Sequence, residues 1–134
     1  MLAPNNPAFL KIEAAAELAG LERSSVAADF CRMFYAHVPE DDILKAAPES
    51  LARQALSTFD LAESREPTSP AIRVSNPAID SEGWAPGCTV IEIIHDDMPF
   101  LVDSVNAELN RRDLVVQQLI HPVLCLTRDA GKIT

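Results

Sequence analysis

The first half of the chain repeats apolar residues three and four positions apart, the spacing that lines one face of a helix. A short first helix is predicted, weakened by Gly20. Its apolar face would consist of Leu10, Ala14, Leu18 and Leu21. A second helix is predicted to start at a cap provided by Ser24 or Ser25 and to end near Pro39. Its apolar positions are Val26, Phe30, Met33, Phe34 and His37.

Two more helices are predicted in this half. Asp41 and Asp42 suit the first turn of a short helix, where the helix dipole favours acidic side chains. Pro48 is typical of the first turn of a longer helix. Its predicted apolar stripe is Leu51, Ala55, Leu56 and Phe59, and Arg53 and Glu63 are predicted to face the solvent. Residues 64–70, SREPTSP, have the composition of an exposed connection, which places a subdomain boundary there.

The second half changes to strand-like patterns. Residues 72–74 predict a short strand, and residues 89–95, TVIEIIH, predict a central strand covered on at least one face. The next helix is predicted from the stripe Met98, Leu101, Val102, Val105 and Leu109. Residues 114–127 predict a long second strand, in which Pro122 marks a bulge or an edge. A hairpin turn follows, with Gly131 at the position that favours positive φ. Only Ile133 and Thr134 come after this turn, so we expect a piece of a longer protein, cut in its third sheet strand.

Charge and composition narrow the classes of partner and compartment. The 134 residues include 11 basic and 20 acidic side chains, for a net charge of −9. This excludes a basic face for nucleic acid or an anionic membrane surface. Lys11, Glu13 and Glu17 interrupt any signal peptide, and no run reaches the ~18 apolar residues of a membrane span. Three cysteines without a C-x-x-C pair predict reduced thiols in a cytoplasmic protein without a structural zinc site.

The densest polar cluster is His95, Asp96 and Asp97, at the predicted strand-to-helix junction. Helix N-terminal amides attract a carboxylate, and two aspartates would hold an ammonium group, so one hypothesis is an amino-acid site. The alternative, favoured by the residue type, is that one aspartate caps the helix. Metal binding by these three is disfavoured because consecutive side chains of a strand point to opposite faces.

Structural roles are favoured for the other two histidines. His121 would form a pH-sensitive pair with His95 if the two strands were adjacent, but a histidine beside a strand proline is more often a hydrogen-bonding residue. His37 ends a helix, where its charged form suits the dipole.

Cysteine and tryptophan positions also favour structural roles. Cys31 and Cys125 are predicted to be buried, and Cys88 to lie in a loop. Trp84 either closes over its own core or forms a partner-binding patch with Phe100. No nucleotide-binding, nucleophile or zinc motif is present, which favours a binding or regulatory module.

Residues 83–131 resemble the N-terminal region of the large bacterial NAD-specific glutamate dehydrogenases. The most specific segments are residues 96–105 (DDMPFLVDSV), residues 120–123 (IHPV) and Arg128-Asp129. Similar segments further upstream are residues 34–39 (FYAHVP), Asp41-Asp42 and residues 73–77 (RVSNP). The resemblance covers about three quarters of the chain.

The resemblance implies an ACT-type regulatory fold, which is ferredoxin-like: strand, helix and strand begin an antiparallel sheet backed by helices. It also implies an amino-acid effector site at the first strand-to-helix loop. The residues of that loop are Asp96, Asp97, Met98, Phe100 and Leu101. Phe100 stands where such loops usually have a glycine, and its ring would obstruct the pocket. The full-length protein would oxidise L-glutamate to 2-oxoglutarate with NAD, at residues outside this chain.

We therefore expect an α+β chain with a helical segment at residues 1–66 and the start of an ACT-like domain at residues 67–134. The leading hypothesis is a non-catalytic regulatory and assembly module that forms homo-oligomers and contacts the catalytic domain of the same longer chain. The alternative is an amino-acid sensor that acts allosterically. A small hydrolase is disfavoured because no nucleophile-base pair is evident. The chain itself is expected to hold no cofactor and no metal.

Overall fold

A computed structural model describes residues 5–66, 68–79 and 84–134 of the chain. The helices in this part are α1 (Pro7–Glu22), α2 (Ser25–Tyr35), α3 (Glu40–Leu44), α4 (Pro48–Ser64) and α5 (Leu101–Arg111). The strands are β1 (Ala71–Ser75), β2 (Val90–Ile94), β3 (Arg128–Asp129) and β4 (Lys132–Ile133). The arrangement is α+β, as the sequence predicts.

The first two helices start at side-chain caps. The Asn6 side chain accepts a hydrogen bond from the backbone N–H of Ala8 at 2.8 Å, and the Ser24 hydroxyl accepts one from the N–H of Ala27 at 3.3 Å. Both bonds satisfy donors that have no partner inside the helix. The predicted cap at Ser24 is confirmed, and so is the start of α4 at Pro48.

The buried face of α1 differs from the predicted one. The predicted residues Leu10, Leu18 and Leu21 are exposed. The buried positions are instead Ala8, Ile12, Ala15, Ala16 and Ala19. Small residues let α1 approach its neighbours closely, and a Cβ added at Gly20 would come within 3.2 Å of the Ala28 Cβ of α2. The helix also continues through Gly20 to Glu22, and the missing side chain at Gly20 makes room for Ala28 of α2.

Aromatic residues of α2 and α4 form the centre of the core. Phe30 packs edge to face against Phe59 of α4, with ring centroids 5.2 Å apart. The buried Tyr35 donates a hydrogen bond to the carbonyl oxygen of Leu51 at 2.8 Å. Cys31 is buried beside them, as predicted, and burial raises the pKa of its thiol to about 12. The predicted apolar stripe of α4 is confirmed as the buried face of that helix.

Strands β1 and β2 form an antiparallel pair, and β3 and β4 form a second one. The turn of the second hairpin has Ala130 and Gly131 at φ of 52° and 80°, so the predicted positive φ at Gly131 is confirmed. Positive φ at both central residues is what a two-residue hairpin turn of type I′ requires. This hairpin is attached to the end of α4: Arg128 donates to the carbonyl of Ala62 at 2.6 Å, and the N–H of Ile133 donates to the Glu63 carboxylate at 3.1 Å.

The long strand predicted over residues 114–127 does not form, because none of these residues pairs in a sheet. An extended segment needs a neighbouring strand to satisfy its backbone groups, and β4 reaches only β3. Burial nevertheless alternates from residue 119 to residue 127, with Ile120, Leu124 and Leu126 packed against the core. Cys125, predicted to be buried in the strand, is exposed on the opposite side of this segment.

Candidate functional site

The predicted effector loop joins β2 to α5. Asp96, Asp97, Met98 and Phe100 are exposed there, and Leu101 is half-buried at the first position of α5. Neither of the two clefts described below is lined by these residues. The loop therefore brings the predicted residues together as an open surface.

Phe100 has an unusual backbone conformation for its residue type. Its φ of 64° lies in the left-handed region that favours glycine. The resemblance implies a glycine at this position, and the backbone of Phe100 has the left-handed conformation that glycine adopts without strain. The side chain is 75% exposed, so an apolar ring stands in solvent at the entrance to α5.

The prediction that Asp96 or Asp97 caps α5 is wrong. The residue at the cap position is Phe100, and no side chain accepts a hydrogen bond from the first turn. The reason is spacing, because Met98, Pro99 and Phe100 separate the aspartates from the helix and a capping side chain must lie directly before it. Asp96 instead accepts a hydrogen bond from Arg65 at 2.9 Å.

The histidines are arranged differently from the predicted pair. His121 lines a cleft of about 220 Å³ together with His37, and His95 does not line it. The other lining residues are Phe34, Val38, Leu119, Ile120 and Pro122. His95 lies after β2 with its Nδ1 2.8 Å from the carbonyl oxygen of Asp96.

The β1–β2 hairpin turns a polar face towards the helices. Arg73 and Glu92 are directly opposite in the register. Arg73 donates to the Glu92 carboxylate through Nε and Nη2, both at 2.9 Å, and to the carbonyl of Ser57 on α4 at 2.9 Å. The Thr58 hydroxyl donates to the same carboxylate at 2.8 Å. Hydrogen bonds to Ser57 and from Thr58 join this face to α4, and Ile94 on the same face packs against the core.

The opposite side of the same hairpin is apolar. Ile72 pairs with Ile93 and Val74 with Ile91, which places these four side chains on one face, termed here the outer hairpin face. Ile72 and Val74 are each 62% exposed, and Ile91 is 42% exposed. The alternation of Arg73 and Glu92 with branched apolar residues was visible in the sequence, but it did not reveal which face would be covered.

The apolar stripe of α5 is also incompletely covered. None of its residues is buried. Leu101, Val102, Val105 and Leu109 are half-buried. Trp84 by contrast is buried, so of the two predicted alternatives it closes onto its own chain and does not share an exposed patch with Phe100. Gly83, one of the two glycines that flank Trp84 in the sequence, lies outside the described residues.

Two further features of the described residues concern metals and membranes. Within residues 5–66, 68–79 and 84–134, no group of three His, Cys, Asp or Glu side chains is placed to hold a metal ion. No helix in the same ranges has both the length and the apolar character needed to cross a bilayer.

A family model described as glutamate dehydrogenase, ACT1 domain, matches residues 30–134. The chain belongs to this ACT1 domain family. This ACT1 chain is similar to the NAD-specific glutamate dehydrogenase of Halomonas elongata, with 40% identity over 100 residues. It is also similar to the NAD-specific glutamate dehydrogenase of Pseudomonas aeruginosa, with 36% identity over 101 residues.

Each of these matches covers 75% of the ACT1 chain but only 6% of the relative, so the chain corresponds to a small part of either relative's length. No solved structure matches it. The resemblance found in the sequence is confirmed by the family match and by both relatives.

Proposed function

We propose that the ACT1 chain is a non-catalytic regulatory and assembly module of an NAD-dependent glutamate dehydrogenase in the cytoplasm. The longer polypeptide would oxidise L-glutamate to 2-oxoglutarate with NAD, and its catalytic domain would lie outside residues 1–134. The family match and the names of both relatives support this role. The observation that carries it is the outer hairpin face.

The outer hairpin face favours assembly because its apolar side chains are left in solvent while the polar pair faces inward. Fully burying a valine or isoleucine side chain contributes roughly 1.5–3 kcal/mol. Because Ile72, Val74 and Ile91 are exposed, a large part of that stabilisation is gained only when a partner covers them. The partner we propose is the same face of a second copy of the chain, because a self-complementary apolar patch forms a closed two-fold dimer.

Sedimentation velocity at tens of micromolar tests the assembly role. We expect the ACT1 chain to form dimers, and the double variant Ile72→Lys and Val74→Lys to be monomeric. Leu21→Lys is the matched control, because Leu21 is an exposed apolar residue on α1 that does not belong to the outer hairpin face. Assembly through this face is refuted if the unsubstituted chain is monomeric, or if Leu21→Lys also dissociates the dimer.

A separate assay tests whether the ACT1 chain is non-catalytic. The ACT1 chain is mixed with L-glutamate and NAD, and NADH formation is followed by absorbance. We expect no turnover above the rate without protein. Measurable turnover that survives repurification would refute a non-catalytic role.

A second candidate function is amino-acid sensing at the β2–α5 loop. It is favoured by the first turn of α5, which lacks a side-chain cap and so leaves N–H donors for a ligand carboxylate. Asp97 is exposed nearby and would hold the ammonium group. Calorimetric titration with the twenty amino acids tests this role. Saturable heat that is lost in Asp97→Ala but kept in the control Asp129→Ala supports a sensor, and heat from no amino acid refutes it.

A further inference from the structure

Three arginines converge on one cleft between the helical half and the first hairpin. Arg23 follows the last residue of α1, Arg53 lies on α4 and Arg73 lies on β1. The cleft has a volume of about 190 Å³. Its other lining residues are Leu56, Ser57 and Asp60.

Helical spacing accounts for part of this arrangement. Arg53, Ser57 and Asp60 are four and three positions apart on α4, so they lie on one side of that helix. The inward polar face of the hairpin brings Arg73 to the same side, where its Nη2 donates to the Ser57 hydroxyl and carbonyl. The cleft is thus formed by three elements that are distant in the sequence.

The cleft concentrates three guanidinium groups on a chain whose net charge is −9. Each guanidinium is paired with one carboxylate: Arg23 with Asp60, Arg53 with Glu22 and Arg73 with Glu92. The formal charges of these groups therefore balance, and what the cleft offers an anion is the set of N–H donors that the three pairs leave unused.

The guanidinium groups of Arg23 and Arg53 have donors to offer. Arg23 donates through Nη2 to Asp60 at 2.7 Å, and Arg53 donates through Nη1 to Glu22. A guanidinium has five N–H donors, so most donors of both groups have no partner among the described residues. The two side chains are 43% and 44% exposed, which leaves them accessible to a solute.

We propose that this cleft binds a small anion with at least two negative charges, a phosphate or a short dicarboxylate. Planar guanidinium groups bind both through paired hydrogen bonds, and the Ser57 hydroxyl adds a further polar contact. The cleft is smaller than the ~300–1,000 Å³ of sites for drug-sized ligands, which excludes a nucleotide. The proposal goes beyond the assembly role and does not depend on the outer hairpin face.

Isothermal titration calorimetry of the 134-residue chain tests the site, with inorganic phosphate and succinate as separate probes. Saturable binding of phosphate alone assigns the site to phosphates, and saturable binding of succinate alone assigns it to dicarboxylates. Arg53→Gln is expected to weaken that binding about tenfold, because one charged contact is lost. Asp60→Asn is expected to strengthen it severalfold, because the repelling carboxylate is removed. Added sodium chloride weakens binding in each case.

The matched control is Arg32→Gln. Arg32 is 42% exposed and pairs with Glu13 and Asp29, so it resembles Arg53 in exposure and pairing but does not line the cleft. Binding should be unchanged in this variant. Arg23→Gln is a second cleft variant, and the thermal midpoint of every variant is measured to show that it is folded. The proposal is overturned if neither probe gives saturable heat, or if Arg32→Gln weakens binding as much as Arg53→Gln.

Discussion

Replacing Arg73 by methionine tests the polar contact between the β1–β2 hairpin and α4. The Glu92 side chain is 10% exposed, and it accepts hydrogen bonds from Arg73 and from the Thr58 hydroxyl. Methionine replaces the aliphatic stem of arginine but has no donor, so Glu92 would keep only its bond from Thr58. A mostly buried carboxylate would then lack its positive partner.

The expected magnitude lies between two limits. Breaking a fully buried ion pair from one side costs about 3–5 kcal/mol, and an exposed pair contributes about 0.2–1 kcal/mol. Because Arg73 is 37% exposed and Glu92 only 10%, we expect Arg73→Met to lower the free energy of unfolding by about 2 kcal/mol. The double variant Arg73→Met and Glu92→Met should recover most of this loss, because no carboxylate is then left unpaired.

Urea unfolding followed by circular dichroism is the assay. With a slope of about 1–3 kcal/mol per molar, the single variant should lower the midpoint by roughly 1 M. Arg32→Met, which breaks an exposed pair, should lower the free energy of unfolding by less than about 1 kcal/mol. The reasoning fails if Arg73→Met has no measurable effect, or if the double variant is less stable than the single one.

Three other predictions concern α1 and the cysteines. Gly20→Val should destabilise the chain by about 1–3 kcal/mol, measured by urea unfolding, because its Cβ would crowd α2; an unchanged midpoint would contradict that crossing. A thiol reagent at pH 8 should label the exposed Cys88 and Cys125 quickly and the buried Cys31 only in denaturant; fast labelling of all three would contradict that burial. Since the pKa of the Cys31 thiol is raised from 9.0 to about 12, its contribution to stability is complete below pH 9 and is lost as the pH rises towards 12. Between pH 9 and pH 12, the free energy of unfolding should fall more steeply for the unsubstituted chain than for Cys31→Ala. Equal slopes for the two proteins would refute this prediction.

Local patterns predicted the helices well, but they did not predict every buried face. The Pro48 start and the Phe59 stripe of α4 follow from proline chemistry and helical periodicity. In α1, alanines and leucines both recur at helical spacing, and the closeness of α2 selects the alanine face, so Leu21 is exposed. Periodicity gives the faces of a helix, while the distance to its neighbour decides which one is buried.

The second half shows a similar limit for strands. The alternation around Ile120 and Leu124 correctly indicates which side chains face inward, yet a strand also needs a partner for its backbone, which these residues lack. The cap of α5 was mispredicted because residue type alone does not say where a helix begins. The loop between β2 and α5 was predicted from the sequence, but the left-handed backbone of Phe100 was not.

The three-arginine cleft was not predicted at all. Arg23, Arg53 and Arg73 are separated by 30 and 20 positions, so only the packing of α1, α4 and β1 brings them together. The spacing of Arg53, Ser57 and Asp60 on one helix was the available signal. That spacing is also typical of an ordinary solvated helix face, so it does not indicate a site unless the packing of the other elements is known.

Both hairpins are fastened to the same helix, and this has a mechanical consequence. The first meets α4 at Ser57 and Thr58, and the second meets its last turn at Ala62 and Glu63. A helix of 17 residues is a stiff rod about 25 Å long. Because the buried face of α4 is packed in the core along its length, the helix holds the two hairpins at a fixed separation, with attachment points about 8 Å apart along its axis.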